Sequence, residues 1–188
     1  MDDVVLARHG ESETAARRVV GGDAPLTAVG HEQARELGRA LAGLPVDVCL
    51  TSAALRAKET AAVALAGRTV RCEVLAELGD IDFGVFEGGA LEEYRRWIAA
   101  HAPDEAPPGG ESRVATLRRF VRAYRAVAAR PEAHVLVVAH GLTLSALVDH
   151  RPRPTVAGVA YGSSIRLSRD ELETRVARIE RWCEAPAW

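Results

Sequence analysis

Three short apolar runs rich in valine constrain the fold most strongly. They occupy residues 4–7, 46–50 and 135–139, and each has the length and composition of a strand buried on both faces of a parallel sheet. Stretches with helical periodicity separate or follow them, at residues 27–42, 52–66, 113–130 and 142–148. This alternation predicts an α/β fold, a three-layer sandwich in which a mostly parallel central sheet is flanked by helices.

The bulk composition is that of one folded domain. The chain has 188 residues without a repeat or a Gly/Ser-rich linker, which predicts a single domain over residues 1–188. Hydrophobic residues make up 48% and charged residues 27%, as in folded globular proteins rather than disordered ones. No apolar run reaches the roughly 18 residues of a spanning helix. The acidic residues 2 and 3 differ from the basic start of a signal peptide, so we expect a cytoplasmic protein with no membrane partner.

Cysteine usage and charge limit the other classes. Cys49, Cys72 and Cys183 have neither an even number nor a metal-like spacing, so we expect reduced thiols and no metal site. The net charge of -2 gives no overall attraction to nucleic acid. The arginine-rich stretch 113–130 carries apolar residues at helical spacing, which favours an amphipathic helix over a nucleic-acid surface.

Two segments depart from the regular alternation. Residues 84–112 are rich in glycine and proline and predict a lid-like insertion, with a short helix near residues 91–100. Near the C terminus, residues 163–167 and 174–178 both have strand-like composition. We expect them to pair as a hairpin that turns at Arg169 and Asp170.

Charged and polar residues follow the buried runs at the points where the strands should end. Arg8 and His9 follow the first, Ser52 and Arg56 follow the second, and His140 follows the third. In open α/β sheets, ligands bind beyond the carboxyl ends of the strands. A single buried histidine is most often structural, but two histidines and two arginines at one sheet edge predict a binding site.

A dianionic phosphoryl group suits this set of residues. Guanidinium forks and imidazole donors match its oxygens, and a neutral imidazole nitrogen is a competent nucleophile. His9, at a fixed strand end, is the candidate nucleophile. The leaving alkoxide also needs a proton, for which an acidic cluster supplies candidate donors: Glu77, Asp80, Asp82 and Glu87.

Six sequence segments together resemble the histidine phosphatase, or phosphoglycerate mutase-like, superfamily. They are LARHGES (6–12), PLTAVG (25–30), TSAALRAKETA (51–61), IDFGVFEG (81–88), GGES (109–112) and VVAHG (137–141). Each is weak alone, but their order and spacing are highly specific and extend through most of the chain. The resemblance implies the phosphoglycerate mutase-like fold.

The resemblance also implies roles for individual residues. His9 would become a phosphohistidine, while Arg8, Arg56 and His140 hold the phosphoryl oxygens without a metal or other cofactor. Asp80 stands where the family usually has its proton-donor glutamate, with Glu77 as the alternative donor. Two further residues within the matching motifs complete the expected substrate-binding set: Ser52, which is equally suited to cap a helix, and Gly141.

Two departures and the short insertion bear on the reaction. Aspartate at position 80 is one methylene shorter than the usual glutamate, and Ala15 replaces a frequent asparagine that helps to bind phosphate. The segment between Gly88 and Gly109 is shorter than in cofactor-dependent mutases of the family, which favours hydrolysis of a small phosphorylated metabolite. A mutase and a non-catalytic phospho-ligand scaffold are the alternatives. The sequence does not decide whether the chain forms a homodimer.

Overall fold

The computed structural model describes residues 1–149 and 159–188 of the chain. Within these ranges, one five-stranded sheet forms the centre, in the order β3-β2-β4-β1-β5. The strands are β1 (Asp3–Arg8), β2 (Val48–Thr51), β3 (Arg71–Val74), β4 (His134–Ala139) and β5 (Ser164–Ser168). The first four pair in parallel, and β5 runs antiparallel to β1.

Helices cover both faces of the sheet. They are α1 (Glu13–Ala16), α2 (Ala28–Ala40), α3 (Leu55–Ala64), α4 (Leu91–Ala99), α5 (Arg113–Ala128), α6 (Gly141–Asp149) and α7 (Arg169–Glu184), with short 3₁₀ turns at Ala76–Leu78 and Gly84–Phe86. Across the described ranges, no helix combines the length and the apolar character needed to cross a membrane.

Side chains that point alternately to the two faces of the sheet create the three layers. In β1, Val5 and Ala7 pack into a core with residues of α2 and α3, whereas Val4 and Leu6 pack into a second core with residues of α5, α6 and α7. Successive side chains of a strand point to opposite faces, so a strand that is apolar throughout must be covered on both sides. The predicted α/β sandwich with a mostly parallel sheet is confirmed.

The predicted C-terminal hairpin is wrong. Residues 164–168 form β5, but it pairs with β1, and residues 174–178 lie within α7. Ser168 and Glu171 form a capping box that starts this helix, and the residues buried along it, Leu172, Val176, Ile179 and Cys183, have helical spacing. The cap and the spacing together outweigh the strand-like composition of the segment.

The arginines of α5 and its C-terminal flank form hydrogen bonds and ion pairs with neighbouring elements of the fold. Arg125 pairs with Glu180 of α7, and Arg118 donates to the carbonyl of Cys183 at 3.1 Å. Arg130 pairs with glutamates at the edge of the sheet. These cationic groups therefore hold neighbouring elements together, as expected of an amphipathic helix packed on a sheet.

Candidate active site

Strands β1, β2 and β4 end side by side at one edge of the sheet. Arg8 of β1 lies beside Ala139 of β4, so the residues that follow them, His9 and His140, emerge as neighbours. Their ring centroids are 5.1 Å apart. The structure thus brings together the two histidines that the sequence placed at this edge.

His9 has a defined tautomer. Its Nδ1 lies 2.7 Å from the carbonyl oxygen of Gly10, and because a carbonyl only accepts, Nδ1 carries the proton. The lone pair is therefore on Nε2, where it accepts from Nε of Arg56 at 3.3 Å. A histidine presenting an unprotonated nitrogen beside a guanidinium is arranged for attack on an anionic group that the guanidinium has bound.

Arg56 joins the parts of the site. Its Nη1 donates to the carbonyl of Gly22 at 2.9 Å, which fixes one side of the guanidinium. Its Nη2 lies 3.4 Å from Oδ2 of Asp80 and 3.3 Å from Nδ1 of His140. The side chain is 8% exposed, so this charge is held largely out of water. An incoming anion would compete with Asp80 for Arg56.

His140 lies behind Arg56, and Ser52 lies behind His140. Oγ of Ser52 is 2.8 Å from Nε2 of His140, and both residues are fully buried. Because a guanidinium only donates, the contact with Arg56 requires Nδ1 to accept and Nε2 to donate to Ser52. In the other tautomer, Ser52 donates to Nε2 and a protonated Nδ1 faces Oδ2 of Asp80 at 3.5 Å. Ser52 therefore contacts His140 rather than the open cavity, and its second bond, from the Ala54 N–H at 3.4 Å, is long.

Both histidines are uncharged near neutral pH in the ligand-free site. Burial lowers the pKa of His9 well below its ordinary value of 6.5. Repulsion from a protonated His140 and from the Arg56 guanidinium lowers this pKa further. Burial likewise lowers the pKa of His140, with Arg56 and Arg8 adding to the effect. A neutral His9 keeps the Nε2 lone pair available.

The guanidinium of Arg8 lies close to the backbone of Gly141. A Cβ added to Gly141 would come within 3.0 Å of Cζ and Nε of Arg8, so the absence of a side chain leaves room for the arginine. Nη1 of Arg8 donates to the carbonyl of Val159. Nε is buried and has no hydrogen-bond partner among the described residues, and Arg8 as a whole lines the cavity.

Of the two candidate proton donors, Asp80 lines the cavity and Glu77 does not. The Asp80 side chain is 28% exposed and sits 3.5 Å from His140 Nδ1, whereas Glu77 is exposed on the outer side of its turn. Arg119 fixes this loop by donating to the carbonyls of Glu77, Gly79 and Asp80 at 2.8–2.9 Å. Arg119 has no distinguishing signal in the sequence beyond its position in an arginine-rich helix.

Asp82 and Glu87 shape loops. Oδ1 of Asp82 accepts from the N–H of Gly84 at 2.9 Å, and Oε1 of Glu87 accepts from the N–H of Gly22 at 2.7 Å. Gly22 is the residue whose carbonyl accepts from Arg56. Glu87 therefore contributes indirectly to the position of Arg56, through the backbone of Gly22.

Two glycines of the motifs permit close contact between β1 and α2. A Cβ on Gly10 would lie 2.5 Å from the carbonyl oxygen of Gly30, and a Cβ on Gly30 would lie 2.0 Å from that of Glu11. The buried hydroxyl of Thr60 then links the nucleophile loop to α3, accepting from the Gly10 N–H at 3.0 Å and donating to the Arg56 carbonyl at 2.6 Å. The Thr60 hydroxyl thus connects the backbone next to His9 with the backbone of Arg56.

A cavity of about 590 Å³ opens beside His9, within the usual range for a small-molecule site. The insertion forms one wall of it through Leu91 and Tyr94, and the ring of Tyr94 packs edge-on against Phe83 at 4.8 Å between centroids. Ala15 lines the cavity with a methyl group. Its N–H is directed at Oγ of Ser12, 3.4 Å away, so it does not replace the missing asparagine.

Sequence reasoning missed several residues of the cavity wall, among them Arg113 and Tyr161. Arg113 directly follows the GGES segment, which was the only available signal, and Tyr161 has no motif around it. No cluster of three or more potential metal-ligating side chains occurs in residues 1–149 and 159–188.

Comparison with known proteins identifies the family. The model of the histidine phosphatase superfamily (branch 1) matches residues 4–179. The chain belongs to this superfamily. It is therefore an enzyme of the histidine phosphatase group with the phosphoglycerate mutase-like fold, and the resemblance seen in the six sequence segments is confirmed.

The named relatives include both mutases and phosphatases. A probable phosphoglycerate mutase, GpmB, of Proteus mirabilis (strain HI4320) is 32% identical over 179 residues, covering 89% of this chain and 80% of that protein. A 2,3-bisphosphoglycerate-dependent phosphoglycerate mutase of Methylobacterium sp. (strain 4-46) is 36% identical over 185 residues, covering 87% and 88%. The structure of a putative alpha-ribazole-5'-P phosphatase from Escherichia coli superimposes with a TM-score of 0.74 at 26% identity, covering 89% of this chain and 90% of that one.

Proposed function

We propose that the protein is a metal-independent phosphomonoester hydrolase that acts on a small phosphorylated metabolite through a phosphohistidine at His9. The observation that carries the proposal is the unprotonated Nε2 of a buried, neutral His9, set against Arg56 in the lining of the cavity. Charge stabilisation by guanidinium groups and a positioned nucleophile are the two main requirements of phosphoryl transfer.

In the first step, Nε2 of His9 attacks phosphorus and the bond from phosphorus to the alcohol oxygen breaks. Arg8 and Arg56 bind the phosphoryl oxygens, and the anion draws Arg56 away from Asp80 and His140. In the tautomer with Ser52 donating to Nε2, Nδ1 of His140 carries the proton and donates to the phosphoryl group. Asp80 gives a proton to the leaving oxygen. The alcohol departs, leaving the phosphohistidine and an Asp80 carboxylate.

In the second step, the Asp80 carboxylate takes a proton from water while the water oxygen attacks phosphorus. The phosphorus–nitrogen bond breaks, which releases phosphate and restores neutral His9. The partial exposure of Asp80 supports this role, because water must reach the carboxylate from the cavity.

A mutase is the second candidate, and the names of the relatives at 32% and 36% identity favour it. In a mutase, a hydroxyl of a phosphorylated acceptor would take the place of water in the second step. The shortness of the insertion favours water, because residues 89–108 contribute one helix of nine residues to the cavity wall.

We place the enzyme in the cytoplasm. Cys49 and Cys72 lie side by side in the β2–β3 register and are free thiols, an arrangement that suits a reducing compartment.

The test is phosphate release from a panel of sugar phosphates, nucleoside phosphates, α-ribazole phosphate and phosphoglycerates, with a chelator present throughout. The native chain should turn over at least one ester, and His9→Ala should lower the rate by about 10³-fold or more. His31→Ala, which removes an imidazole that does not line the cavity, is the matched control and should keep the native rate.

Three results would each contradict the proposed function. Loss of activity in chelator would contradict a metal-independent reaction. Native activity in His9→Ala would remove the proposed nucleophile. Interconversion of phosphoglycerates that outpaces phosphate release would establish the mutase instead.

A further inference from the structure

The segment 159–163 is attached to the strand end that carries Arg8 and His9. The N–H of Arg8 donates to the carbonyl of Ser163 at 3.0 Å, and the N–H of Gly162 lies 3.1 Å from the Arg8 carbonyl and 3.3 Å from the His9 carbonyl. The Arg8 side chain returns to the same segment through its bond to Val159. Both the backbone and the side chain of Arg8 are therefore placed by this segment.

Tyr161 is the aromatic residue of the segment. Its ring centroid is 3.6 Å from Cζ of Arg8, the distance of a cation stacked on an aromatic face, and 5.6 Å from the ring centroid of His9. The ring lines the cavity and is partly exposed there. Tyr161 thus touches the guanidinium next to the nucleophile while forming part of the cavity surface.

The ring also limits where the guanidinium can go. Arg8 is packed against Tyr161 and against the bare backbone of Gly141, while Nη1 is bound to Val159. Arg8 lines the cavity in this orientation, so the ring and the glycine backbone together fix how the guanidinium faces a bound ligand. An arginine has many rotamers, so a flat surface that selects one of them reduces what a bound phosphoryl group must order.

We propose that Tyr161 is a positioning residue whose aromatic ring holds the Arg8 guanidinium in the orientation that binds the phosphoryl group. This inference rests on the proposed function of the same site. It assigns the effect mainly to the ring, whose face stacks on Arg8 at 3.6 Å. Burial lowers the pKa of the Arg8 guanidinium, and the phenolic hydroxyl, which also interacts with Arg8, raises it. The two parts of the side chain must therefore be tested separately.

Two variants separate the ring from the hydroxyl. Tyr161→Phe keeps the face and should stay within about threefold of the native kcat/KM, whereas Tyr161→Leu should lower kcat/KM about 10- to 30-fold, the factor expected for loss of a desolvated cation–π contact. Trp182→Leu, which removes a ring on α7 outside the cavity, is the control and should keep the native rate. Thermal unfolding of each variant reports whether the chain is folded.

A double-mutant cycle with Arg8→Leu tests whether Tyr161 acts through Arg8. The readouts are kcat/KM and the dissociation constants of inorganic phosphate and orthovanadate, measured by calorimetry. In the Arg8→Leu background, Tyr161→Leu should have no further effect on any of them. Vanadate, which adopts the five-coordinate geometry of phosphoryl transfer, should lose more affinity than phosphate on Tyr161→Leu.

The outcomes are distinct. The same fold-loss from Tyr161→Leu with and without Arg8 would overturn the inference, as would a Tyr161→Phe variant as impaired as Tyr161→Leu. A native chain that binds phosphate but turns over no ester would contradict the proposed hydrolase, while the cycle in phosphate affinity would still decide the role of Tyr161. A native chain that binds neither anion would overturn both.

Discussion

Replacing Arg119 with leucine should destabilise the protein and impair proton donation together. One guanidinium makes five hydrogen bonds: three to the carbonyls of Glu77, Gly79 and Asp80, and two to the carboxylate of Glu111 at 3.0 and 2.6 Å. The Arg119 and Glu111 side chains are 16% and 27% exposed, so the pair is largely shielded from water. Arg119 thus attaches the loop that carries the proposed proton donor to α5.

The magnitude follows from these contacts. A hydrogen bond to a charged group contributes about 1.5 to 3 kcal/mol, but five bonds sharing one guanidinium are not additive, and water replaces some of them. We therefore expect a loss of about 3 kcal/mol in the free energy of unfolding, the lower end for removing one partner of a buried ion pair. For a chain of this length, that corresponds to a fall in Tm of about 6 to 12 °C.

Urea unfolding and leaving-group kinetics would measure the two effects. A displacement of the Asp80 loop by about 1 Å should lower kcat by about 10²-fold on an alkyl phosphate, which needs a proton on its leaving oxygen. A nitrophenyl phosphate leaves without that proton and should lose much less. The contrast between the two esters separates misplacement of Asp80 from general damage to the site.

Arg122→Leu is the matched control. Arg122 lies on the same helix, is exposed, and makes one long bond of 3.4 Å to a carbonyl of its own helix, so its loss should cost no more than about 0.5 kcal/mol. Equal unfolding midpoints and equal kcat on the alkyl ester for Arg119→Leu and Arg122→Leu would refute the reasoning.

Three further predictions concern the residues proposed to bind the phosphoryl group and their direct neighbours. Because the pKa values of His9 and His140 are lower in the folded chain than in the unfolded one, the unfolded chain takes up protons first, so the urea midpoint should fall as pH drops below about 6.5, and added phosphate should oppose the fall. A midpoint that rises through this range would contradict the assigned direction. Gly141→Ala should weaken phosphate binding by about tenfold or more in calorimetry, because its Cβ would displace Arg8; native affinity would show that Arg8 tolerates the methyl group. Ser52→Ala should lower kcat by about tenfold while KM changes little, because it leaves His140 without its orienting partner; an unchanged kcat would assign Ser52 to capping alone.

The parts of the fold that sequence predicted are those in which composition and burial agree. β1, β2 and β4 are central strands, buried on both faces, and their valine-rich runs could hardly be anything else. β3 (Arg71–Val74) was not predicted, because an edge strand pairs on one side only and three of its four residues are exposed. The strand forms because it pairs with β2, and no local sequence pattern predicts that pairing.

For the site, sequence located the residues fixed by strand ends and motifs. Arg8 ends β1, and His9, Arg56 and His140 follow β1, β2 and β4, so the parallel sheet itself brings them together. Tyr161 precedes β5, whose antiparallel pairing with β1 places it against Arg8, and the sequence had assigned β5 to a hairpin. The contact was therefore hidden by a wrong topology and not by the residue type.

Identifying the phosphorylated residue tests the central claim most directly. The native chain and Asp80→Asn, which should slow the second step, would be mixed with an ester that turns over, quenched in alkali to preserve phosphohistidine, and mapped by mass spectrometry and ³¹P NMR. The account predicts one phosphoryl group on Nε2 of His9, accumulating in Asp80→Asn and absent from His9→Ala. Turnover with no phosphoryl group on His9, or with one on another residue, would contradict it.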